Sequence, residues 1–380
     1  MSNEPDNIYY DLTYNNYQSL TEEPKQLTFQ ETRNIPLISN PNNYNLSITR
    51  FQLDTISLPS YIAAIQPNQS NVNLMIHAIN LSYFNGTTET TISPTYLLWK
   101  SVHKEVSIPA APNANSNGFQ TDSIYYYGYS FLHVCEIINT AFTTALTALK
   151  TAIGGGGGAI STATAPFIYF DHNNNKFHLV GDNAFYNSNA GTHIRIYFNR
   201  PLYGLFSSFG AYRNSISDPN QNIYQIRLTA EKGTNLVTNT NWGSGITFID
   251  YPQEYSTLAN FNPISSLVFT TSQLPIVPNS ISAPLVFNNN QLVSDANQNS
   301  LTSQIITDMA NNDDFSYKPN LLYNPSAEYR RISMTSNRPI TNIDIQVYWR
   351  DRKGILKPFV VWSGGSASIK ILFEKKKLLS

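Results

Sequence analysis

The sequence predicts an all-β protein whose antiparallel strands form a sandwich or a barrel. About a dozen short segments show the alternation of apolar and polar residues that is typical of half-buried strands. The chain contains 21 prolines and 18 glycines, which are spread between these segments and favour turns. Only one segment has helical spacing, so the regular alternation of strands and helices found in parallel sheets is absent. Together these observations favour an antiparallel architecture.

Residues 1–40 precede the first clear strand, and we expect an extended N-terminal arm there. The segment shows no evident period, so it is expected to add little to the domain core. It is acidic and carries several aromatic residues, namely Tyr9, Tyr10, Tyr14, Tyr17 and Phe29. Aromatic side chains bury a large area when they find a groove, which favours a role in assembly rather than in folding. The alternative is a strand that folds back on its own subunit.

The domain itself is expected to span residues 41–380. In its first strand the apolar residues change phase, which predicts a β-bulge near Thr49 and Arg50. The next strands are predicted at residues 72–84 and 95–102.

One helix is predicted at residues 130–153, where apolar residues recur with helical spacing. Ser130 is the predicted N-cap, and five glycines at 154–158 follow the last turn. We expect this run to be a mobile linker without a ligand, because the Lys-Ser/Thr pair of a phosphate-binding loop is missing. The helix, the glycines and the hairpin after them are expected to form an inserted subdomain at residues 103–190.

After the helix the sequence returns to strands. Residues 167–181 are predicted to form a β-hairpin around an asparagine-rich turn. The other predicted strands are at residues 192–199, 223–230, 246–251, 265–275, 283–287 and 327–336. Residues 343–362 are apolar at every second position, break at Gly354 and turn apolar again. A last strand at 366–373 presents its apolar residues on one face.

The composition limits the classes of function. Charged residues make up 13% of the chain, about half the usual share, and the formal net charge is −1. This balance argues against a dedicated nucleic-acid binder, and the basic run Lys375–Lys377 is expected to be a solvated tail. A surface poor in charge suits large protein–protein contacts, because it loses little hydration on binding. We expect no signal peptide and no membrane span, since no apolar run of about 18 residues occurs.

The residues that could carry chemistry form no recognisable catalytic or metal-binding pattern. Cys135 is the single cysteine, which fits a reducing compartment, and we expect it in the core of the predicted helix. His133 lies two residues before it and therefore points in another direction. His172 and His178 flank the hairpin turn, where exposed side chains are expected rather than a metal pair.

Two acidic segments match neither a calcium-binding loop nor a catalytic pair of carboxylates. Residues 294–300 resemble the start of a calcium loop, but Ser300 and Ile306 replace the required glycine and glutamate. Asp313 and Asp314 are adjacent, so they cannot flank a scissile bond, and we expect a solvated loop. Nucleotide-binding and hydrolase motifs are missing from the sequence. The sequence therefore predicts no catalytic residues, no metal site, no cofactor and no enzymatic activity.

Several segments resemble the minor capsid, or penton, proteins of Sputnik-like virophages and of Polinton-like viruses. The resemblance is carried by SSLVFTTSQLP at residues 265–275, by NPSAEYRRISMTSNRPITNIDIQVYWRDRKGILKPF at 324–359 and by SASIKILFEKK at 366–376. Two earlier segments agree with it, ITRFQLDTISLP at 48–59 and YYYGYSFLHV at 125–134. Together these patches cover much of the chain.

The resemblance implies a single jelly roll, an antiparallel β-sandwich, with one helix-containing insertion. It implies a homopentamer at the five-fold vertices of an icosahedral capsid, beside a double jelly-roll major capsid protein. Such a protein is made in the host cytoplasm, resides in the virion and binds no specific nucleic acid. In this fold one face of 343–349 is expected to line the gap between the sheets, and the other to point outward. The inward residues are Ile343, Ile345, Val347 and Trp349; the outward residues are Asp344, Gln346 and Tyr348.

Two other functions stay open at the level of sequence. One is a glycan-binding β-sandwich that attaches to a host or giant-virus surface glycan, for which the 24 tyrosines could supply sugar platforms. The other is a carbohydrate-active enzyme, which would need two carboxylates about 5–10 Å apart in a cleft.

Overall fold

The computed structural model consists of two compact units, of which unit 1 comprises Met1–Pro59 and Pro263–Ser380 and unit 2 comprises Ser60–Asn262. It describes residues 4–377 apart from 18–24, 68, 104–107, 110–122, 215–221, 231–234, 278–280, 283–284, 289–290, 295–302, 311–319, 324–329 and 353.

The described elements follow one another along the chain in three groups. The first strands of unit 1 are β1 (Asn7–Asn15), β2 (Lys25–Gln26), β3 (Thr28–Thr32) and β4 (Tyr44–Asp54). Unit 2 then contains β5 (Tyr61–Ile62), β6 (Leu74–Phe84), β7 (Glu89–Thr91), β8 (Thr95–Leu98), β9 (Tyr127–Gly128), α1 (Phe131–Ile153), β10 (Phe167–Asp171), β11 (Lys176–Asp182), α2 (Asn183–Tyr186), β12 (His193–Phe198), α3 (Arg200–Leu205), β13 (Ala211–Arg213), β14 (Tyr224–Ile226), β15 (Asn235–Thr238), β16 (Thr247–Pro252) and α4 (Leu258–Phe261). Unit 1 resumes with β17 (Ile264–Thr271), β18 (Ile281–Ser282), β19 (Leu285–Asn288), β20 (Gln291–Ser294), β21 (Ser303–Ala310), β22 (Asn320–Tyr323), β23 (Ile332–Ser333), β24 (Asn342–Asp351), β25 (Leu356–Pro358), β26 (Val360–Val361) and β27 (Ser366–Lys375).

Unit 1 contains two larger antiparallel sheets and the two-stranded pairs β2-β26 and β19-β20. The first has the strand order β1-β27-β4-β22, and β24 of the second is flanked by β3 and β17, with β21 beside β17. Strands β4 and β27 therefore lie in one sheet, whereas β17, β21 and β24 lie in the other. The phenyl rings of Phe51 on β4 and Phe269 on β17 are 4.9 Å apart, so the two sheets meet through their apolar faces. The predicted all-β antiparallel class is confirmed.

The predicted bulge in β4 is present. Lys370 of β27 pairs with Arg50, whereas the next residue, Ile371, pairs with Ile48, so Thr49 is the extra residue. The hydroxyl of Thr49 donates a hydrogen bond to the carbonyl oxygen of Lys370 at 3.2 Å. The bulge keeps apolar residues facing the core on both of its sides, which explains the change of phase in the sequence.

Strand β1 shows that residues 1–40 are not an arm outside the core, and that prediction is wrong. Ile8, Tyr10, Leu12 and Tyr14 alternate along β1 and lie opposite the apolar residues of β27, with Leu12 opposite Ile369. Leu12 is buried. The period is present in the sequence, but the adjacent tyrosines at positions 9 and 10 obscure it.

The second half of the same segment is also part of unit 1. Strand β3 pairs with β24, and Phe29 of β3 is buried. Leu27 joins two further segments, since its amide donates to the carbonyl of Phe359 at 2.7 Å and its carbonyl accepts from the amide of Val347 at 3.1 Å. These bonds place the segment inside the hydrogen-bonding pattern of the second sheet.

Strand β24 is covered on both faces, which differs from the expected single buried face. Ile343, Ile345, Val347 and Trp349 are buried as expected, but Tyr348 is also only 2% exposed. Tyr348 belongs to a small apolar cluster with Val268, Ile305 and Leu356 on the outer face of the second sheet. The expectation that Tyr348 points to solvent is therefore wrong, because neighbouring strands supply a second apolar layer.

The last strands of unit 1 follow the expected turns. Gly354 has a φ of 86°, which favours glycine, and the chain returns there so that Leu356 lies opposite Arg350. Strand β27 then contributes buried Ala367, Ile369, Ile371 and Phe373 to the core.

Unit 2 is a continuous insertion between β4 and β17, and it is larger than the predicted 103–190. It contains a six-stranded sheet, ordered β13-β14-β12-β6-β7 with β8 also on β6, and a four-stranded sheet, ordered β10-β11-β16-β15. The predicted hairpin is the pair β10–β11. Strands of this insertion have the same local pattern as those of unit 1, so the sequence does not separate them.

Helix α1 lies in the core of unit 2, where it contacts strands of both sheets, among them β6, β8 and β10. The predicted N-cap is confirmed, because Ser130 Oγ accepts a hydrogen bond from the amide of Leu132 at 3.2 Å. By length and composition alone the helix is apolar enough to cross a membrane, but one face, including Ile138, Phe142 and Leu149, is buried inside the unit. Its apolar residues therefore serve the core.

The glycine run after α1 forms a defined turn and not the mobile linker predicted from the sequence. The chain kinks within Gly155–Ile160, where Gly156, Gly157 and Gly158 have non-helical backbone angles, and Gly157 is buried with a φ of 100°. A Cβ at Gly157 would lie 3.0 Å from Cγ of Lys150. The ammonium of Lys150 donates to the carbonyls of Ser161 and Ala163, each at 2.8 Å. Glycine is required at position 157 for both its φ and its space.

An aromatic cluster fills the centre of unit 2. The ring of Phe261 lies 5.2 Å from Phe177, 5.3 Å from Phe206 and 5.6 Å from Phe131. His77 is buried in the same unit, with Nδ1 3.4 Å from the hydroxyl of Tyr61. Burial lowers the pKa of His77 to about 4, so the side chain is neutral in the folded protein at neutral pH.

Leu12→Ala should lower the free energy of unfolding by about 2–5 kcal/mol, because it leaves a cavity in the core of unit 1. Tyr9→Ala on the same strand should change it by less than about 0.5 kcal/mol, since Tyr9 is 60% exposed. Denaturant titrations of both variants, and of a protein that begins at residue 38, measure this. Unchanged stability of the shortened protein would mean that β1 and β3 are dispensable.

Tyr348→Ala and Trp349→Ala should each cost about 3–5 kcal/mol, because both side chains are large and buried. Asn342→Ala, at an exposed position of the same strand, is the control. Equilibrium unfolding in urea compares the three. A loss at Tyr348 close to that of the control would show that the outer apolar layer does not form.

Acidification should destabilise unit 2 through His77. The unfolded side chain binds a proton near pH 6.5 and the folded one only near pH 4, so stability is lost as the pH falls through this window, by about 3 kcal/mol when complete. His77→Gln retains an acceptor for Tyr61 and should flatten the melting temperature between pH 6.5 and 4. His172→Gln, at an exposed site, should not; equal pH profiles for both variants would disprove the assignment.

Candidate assembly surfaces

The hairpin histidines do not form a metal pair in the part of the chain that the structure describes. His172 is exposed, whereas His178 is buried, contrary to expectation. Nδ1 of His178 lies 2.8 Å from Oδ1 of Asp250 and 3.0 Å from the hydroxyl of Tyr169. Within the described ranges, no group of three or more His, Cys, Asp or Glu residues could hold a metal ion. The His178 contacts tie β10 and β11 to β16.

The helix residues singled out by the sequence also have structural roles. Cys135 is buried as predicted, and burial raises the pKa of its thiol to about 12. Because the thiolate is the reactive form, this cysteine is inert at neutral pH. His133 packs edge-on against Trp99 with ring centroids 5.1 Å apart, and burial lowers its pKa.

The basic run near the C-terminus is not simply a solvated tail. The ammonium of Lys376 donates to the carbonyls of Asn42 at 2.8 Å and Met334 at 3.0 Å, and that of Lys375 lies 3.9 Å from Asp6. These contacts hold the end of β27 to its own unit. Residues 295–300 and the pair Asp313–Asp314 lie outside the described residues.

The outer face of the first sheet of unit 1 carries charges that pair with one another. Asp11 of β1 lies 3.1 Å from Arg50 and 3.3 Å from Lys370 on the neighbouring strands. Tyr9 and Tyr17 are 60% and 72% exposed at this edge strand. Because the ion pairs are satisfied within the sheet, the exposed aromatic rings are the groups left to contact another molecule.

The outer face of the second sheet also satisfies its own polar groups. The carboxylate of buried Asp344 accepts hydrogen bonds from the hydroxyls of Thr271 at 2.6 Å and Ser272 at 2.7 Å, and from the amide of Gln273 at 3.0 Å. Asp344 thereby caps the turn after β17. The alternation of apolar and polar residues predicts that Asp344 lies on the outer face, but it does not predict which groups bind its carboxylate.

The outer face of the six-stranded sheet in unit 2 carries a polar network around Glu89. Its carboxylate accepts hydrogen bonds from Arg195 at 2.7 Å, from Tyr197 at 2.7 Å and from the hydroxyl of Ser82. The guanidinium of Arg195 also lies 4.2 Å from the ring centroid of Phe84. Partial burial opposes ionisation of Glu89, but these hydrogen bonds and the Arg195 charge hold its pKa below the usual value.

A second arginine lies on the same face. The guanidinium of Arg227 is 4.0 Å from the ring centroid of Tyr212, and Tyr212 is 57% exposed. The sequence analysis did not single out either residue, because only the register of β13 with β14 brings them together. Arg227 is exposed as well.

Taken together, these surfaces are suited to contact with other molecules. Their carboxylates are bound to cations, hydroxyls or amides of the same unit. The exposed groups include aromatic rings and a stacked guanidinium, which are common at protein interfaces.

Comparison with known proteins identifies relatives along almost the whole chain. The family model of the Sputnik minor capsid protein V18/19 matches residues 8–375. Two relatives come from Sputnik virophage. "Uncharacterized protein V18" is 30% identical over 169 residues, which are 44% of this chain and 93% of that protein. "Structural protein V19" is 26% identical over 214 residues, 55% of this chain and 94% of that protein.

Two solved structures share the fold. A chain in the cryo-EM structure of the Sputnik virophage has a TM-score of 0.79 and 25% identity, covering 98% of this chain and 99% of that one. The crystal structure of the mavirus penton protein has a TM-score of 0.60 and 17% identity, covering 98% and 100%, and shows likeness of fold alone. Since the family model spans nearly all of the residues in which both sheets of unit 1 and the whole of unit 2 lie, the chain belongs to the Sputnik minor capsid protein V18/19 family, whose members are structural proteins of the virion.

Proposed function

We propose that this chain forms homopentamers at the five-fold vertices of an icosahedral capsid, beside a double jelly-roll major capsid protein. The observation that carries the proposal is the antiparallel two-sheet core of unit 1 in a member of a minor capsid family. The likeness of fold to a protein described as a penton agrees with it. In this role the protein has no catalytic activity, and its chemistry is that of surface contacts.

A closed ring needs two different contact patches on each subunit, because every copy meets its two neighbours in a head-to-tail manner. Unit 1 offers an edge strand, β1, at one end of its first sheet. Tyr9 projects from this strand and Tyr17 follows it, both largely exposed. Burying such rings against a neighbour would contribute to an interface of about 1,600 Å².

The low charge content supports an assembly role for a physical reason. Charged residues make up only 13% of the chain, and several of them are already paired within unit 1, such as Asp11 with Arg50 and Lys370. Bringing such surfaces together requires the desolvation of few unpaired charges. Neighbouring subunits also repel one another weakly, since the net charge of each is −1.

The purified protein should have a mass five times the 42.7 kDa of one chain when measured by light scattering. Tyr9→Asp should reduce the pentamer fraction without lowering the melting temperature, because a carboxylate on an exposed ring position opposes burial in a contact but leaves the core intact. Tyr255→Asp, at a similarly exposed position of unit 2, is the matched control.

A protein that stays monomeric at high concentration, with the major capsid protein also present, would contradict the proposal. Strong and selective binding to a glycan array by such a monomer would favour the alternative of an attachment protein. Rings of another size in negative-stain images would retain an assembly role but reject the five-fold vertex.

A further inference from the structure

The turn between β10 and β11 contains a hydrogen-bond network whose pattern depends on the protonation of His178. The pairing of the two strands ends at Asp171 and Lys176, and Asn175 in the turn has a φ of 56°. His178 lies on β11, two residues beyond Lys176, and its side chain is buried. The ring nitrogens of a buried imidazole need suitable partners, so those partners indicate where its protons lie.

The partners of Nδ1 of His178 assign a proton to that atom. Oδ1 of Asp250 on β16 lies 2.8 Å from Nδ1, and a carboxylate only accepts. The hydroxyl of Tyr169 on β10 lies 3.0 Å from Nδ1 and 3.1 Å from Oδ2 of Asp250. Burial raises the pKa of Tyr169, and Asp250 and, less strongly, Asp171 raise it further, so the phenol keeps its proton and donates to Asp250. Nδ1 of His178 therefore donates to this pair.

The partner of Nε2 requires the opposite role. Nδ2 of Asn174 lies 3.3 Å from Nε2, and Oδ1 of the same side chain accepts from the backbone N–H of Lys176 at 2.9 Å. The bond to Lys176 fixes the orientation of the amide, because a rotated Asn174 would place its NH2 group against that N–H. Nε2 therefore accepts a hydrogen bond, and His178 in this arrangement is neutral, with its proton on Nδ1.

A second proton on His178 is incompatible with this arrangement. An N–H on Nε2 would point at the NH2 group of Asn174, and two donors cannot bond to each other. Rotation of the amide would satisfy His178 but leave the N–H of Lys176 facing a donor. Oδ2 of Asp171 lies 3.9 Å from Nε2, so a small movement makes it an anionic acceptor, while Oδ1 of Asp171 accepts from the backbone and side-chain N–H groups of Asn173 at 2.9 and 3.0 Å.

The other ionisable side chains of the turn have partners elsewhere. The ammonium of Lys176 donates to the carbonyl of Glu254 at 2.8 Å. The ring of His172 packs edge-on against Phe170, with centroids 4.8 Å apart. In the part of the chain that the structure describes, the carboxylates at ion-pair distance from His178 are those of Asp171 on β10 and Asp250 on β16.

We propose that His178 and Asn174 form a proton-sensitive switch that sets the conformation of the β10–β11 turn. In the neutral form, Asn174 connects Nε2 of His178 to the N–H of Lys176. Uptake of a proton by Nε2 transfers its hydrogen bond from Asn174 to Asp171, and the N–H of Lys176 loses its partner. Residues 172–175 are exposed, so the change alters the surface of unit 2 in acid. The inference does not rest on the proposed function, because it needs no second subunit.

The test measures hydrogen exchange of the full chain by mass spectrometry between about pH 8 and 5.5, a range that includes the ordinary titration of an imidazole. Exchange rates are divided by those of unstructured peptides at the same pH. Protection of peptides that contain residues 173–176 should fall about fivefold as the pH decreases, which corresponds to the loss of one hydrogen bond. Peptides from α1 should keep their protection, which separates a local change from unfolding.

Two variants remove the switch in different ways. His178→Gln cannot take up a proton, so the protection of the turn should not depend on pH. Asn174→Asp supplies a carboxylate that accepts from Lys176 and from a protonated His178 at once, so protection should be retained at low pH. Asn174 is exposed, and this variant should fold even if His178→Gln does not. His172→Gln removes the exposed histidine of the same turn; as the matched control, it should show the same decrease as the unmodified protein.

A decrease in the unmodified protein and in His172→Gln, but not in His178→Gln or Asn174→Asp, supports the inference. Constant protection in the unmodified protein would overturn it. A decrease of equal size in Asn174→Asp would also overturn it, because the turn would then respond to acid without the Asn174 amide. The same holds if His172→Gln abolishes the decrease, since the exposed imidazole would then be the group that titrates. If His178→Gln does not fold, Asn174→Asp and His172→Gln decide the question.

Discussion

The pairing of β1 and β4 on the two sides of β27 is the interaction on which unit 1 depends. Leu12 and Phe51 both lie opposite Ile369, so one residue of the last strand is in contact with strands from the beginning of the chain. The apolar faces of these strands form one wall of the core, and Phe51 connects it to Phe269 of the other sheet. Without β27, β1 loses the strand it pairs with and is separated from β4, so the wall is lost.

On the surfaces described, the buried or paired carboxylates are bound by groups of the same unit. Asp11, Asp344 and Glu89 each bind partners within their own unit, which satisfies their charge and fixes their orientation. The exposed groups among the described residues include aromatic rings such as Tyr9 and Tyr212 and the guanidinium of Arg227 beside Tyr212. A shell protein needs rigid shape and selective contacts, and a surface whose polar groups are internally satisfied provides both at low desolvation cost.

The sequence was sufficient for elements whose pattern is local. Helix α1, its cap at Ser130, the hairpin β10–β11 and the bulge at Thr49 were predicted correctly, because each leaves a signal within a few residues. Strand β1 was not predicted, although Ile8, Tyr10, Leu12 and Tyr14 alternate. The aromatic residue Tyr9 stands at a position where the alternation would have a polar residue, so the period is not evident.

Other features depend on contacts between distant residues and leave no local signal. The alternation in the sequence predicts that Tyr348 faces outward. The residues that cover it, Val268, Ile305 and Leu356, come from three different strands, so the sequence around Tyr348 does not reveal them. The same holds for the pair Arg227 and Tyr212, and for the limits of unit 2, whose strands resemble those of unit 1. The turn at Gly157 is specified by its fit to Lys150, which composition does not reveal.

The position of β27 after unit 2 in the chain order has a consequence for biosynthesis. Unit 2 is continuous and has emerged from the ribosome long before residues 366–375 are made, so its core can form while synthesis proceeds. Unit 1 cannot close until β27 has left the ribosome. A prematurely terminated product therefore retains an open sandwich with unpaired strands, and cellular quality control has a structural means to separate it from finished subunits before a shell is built.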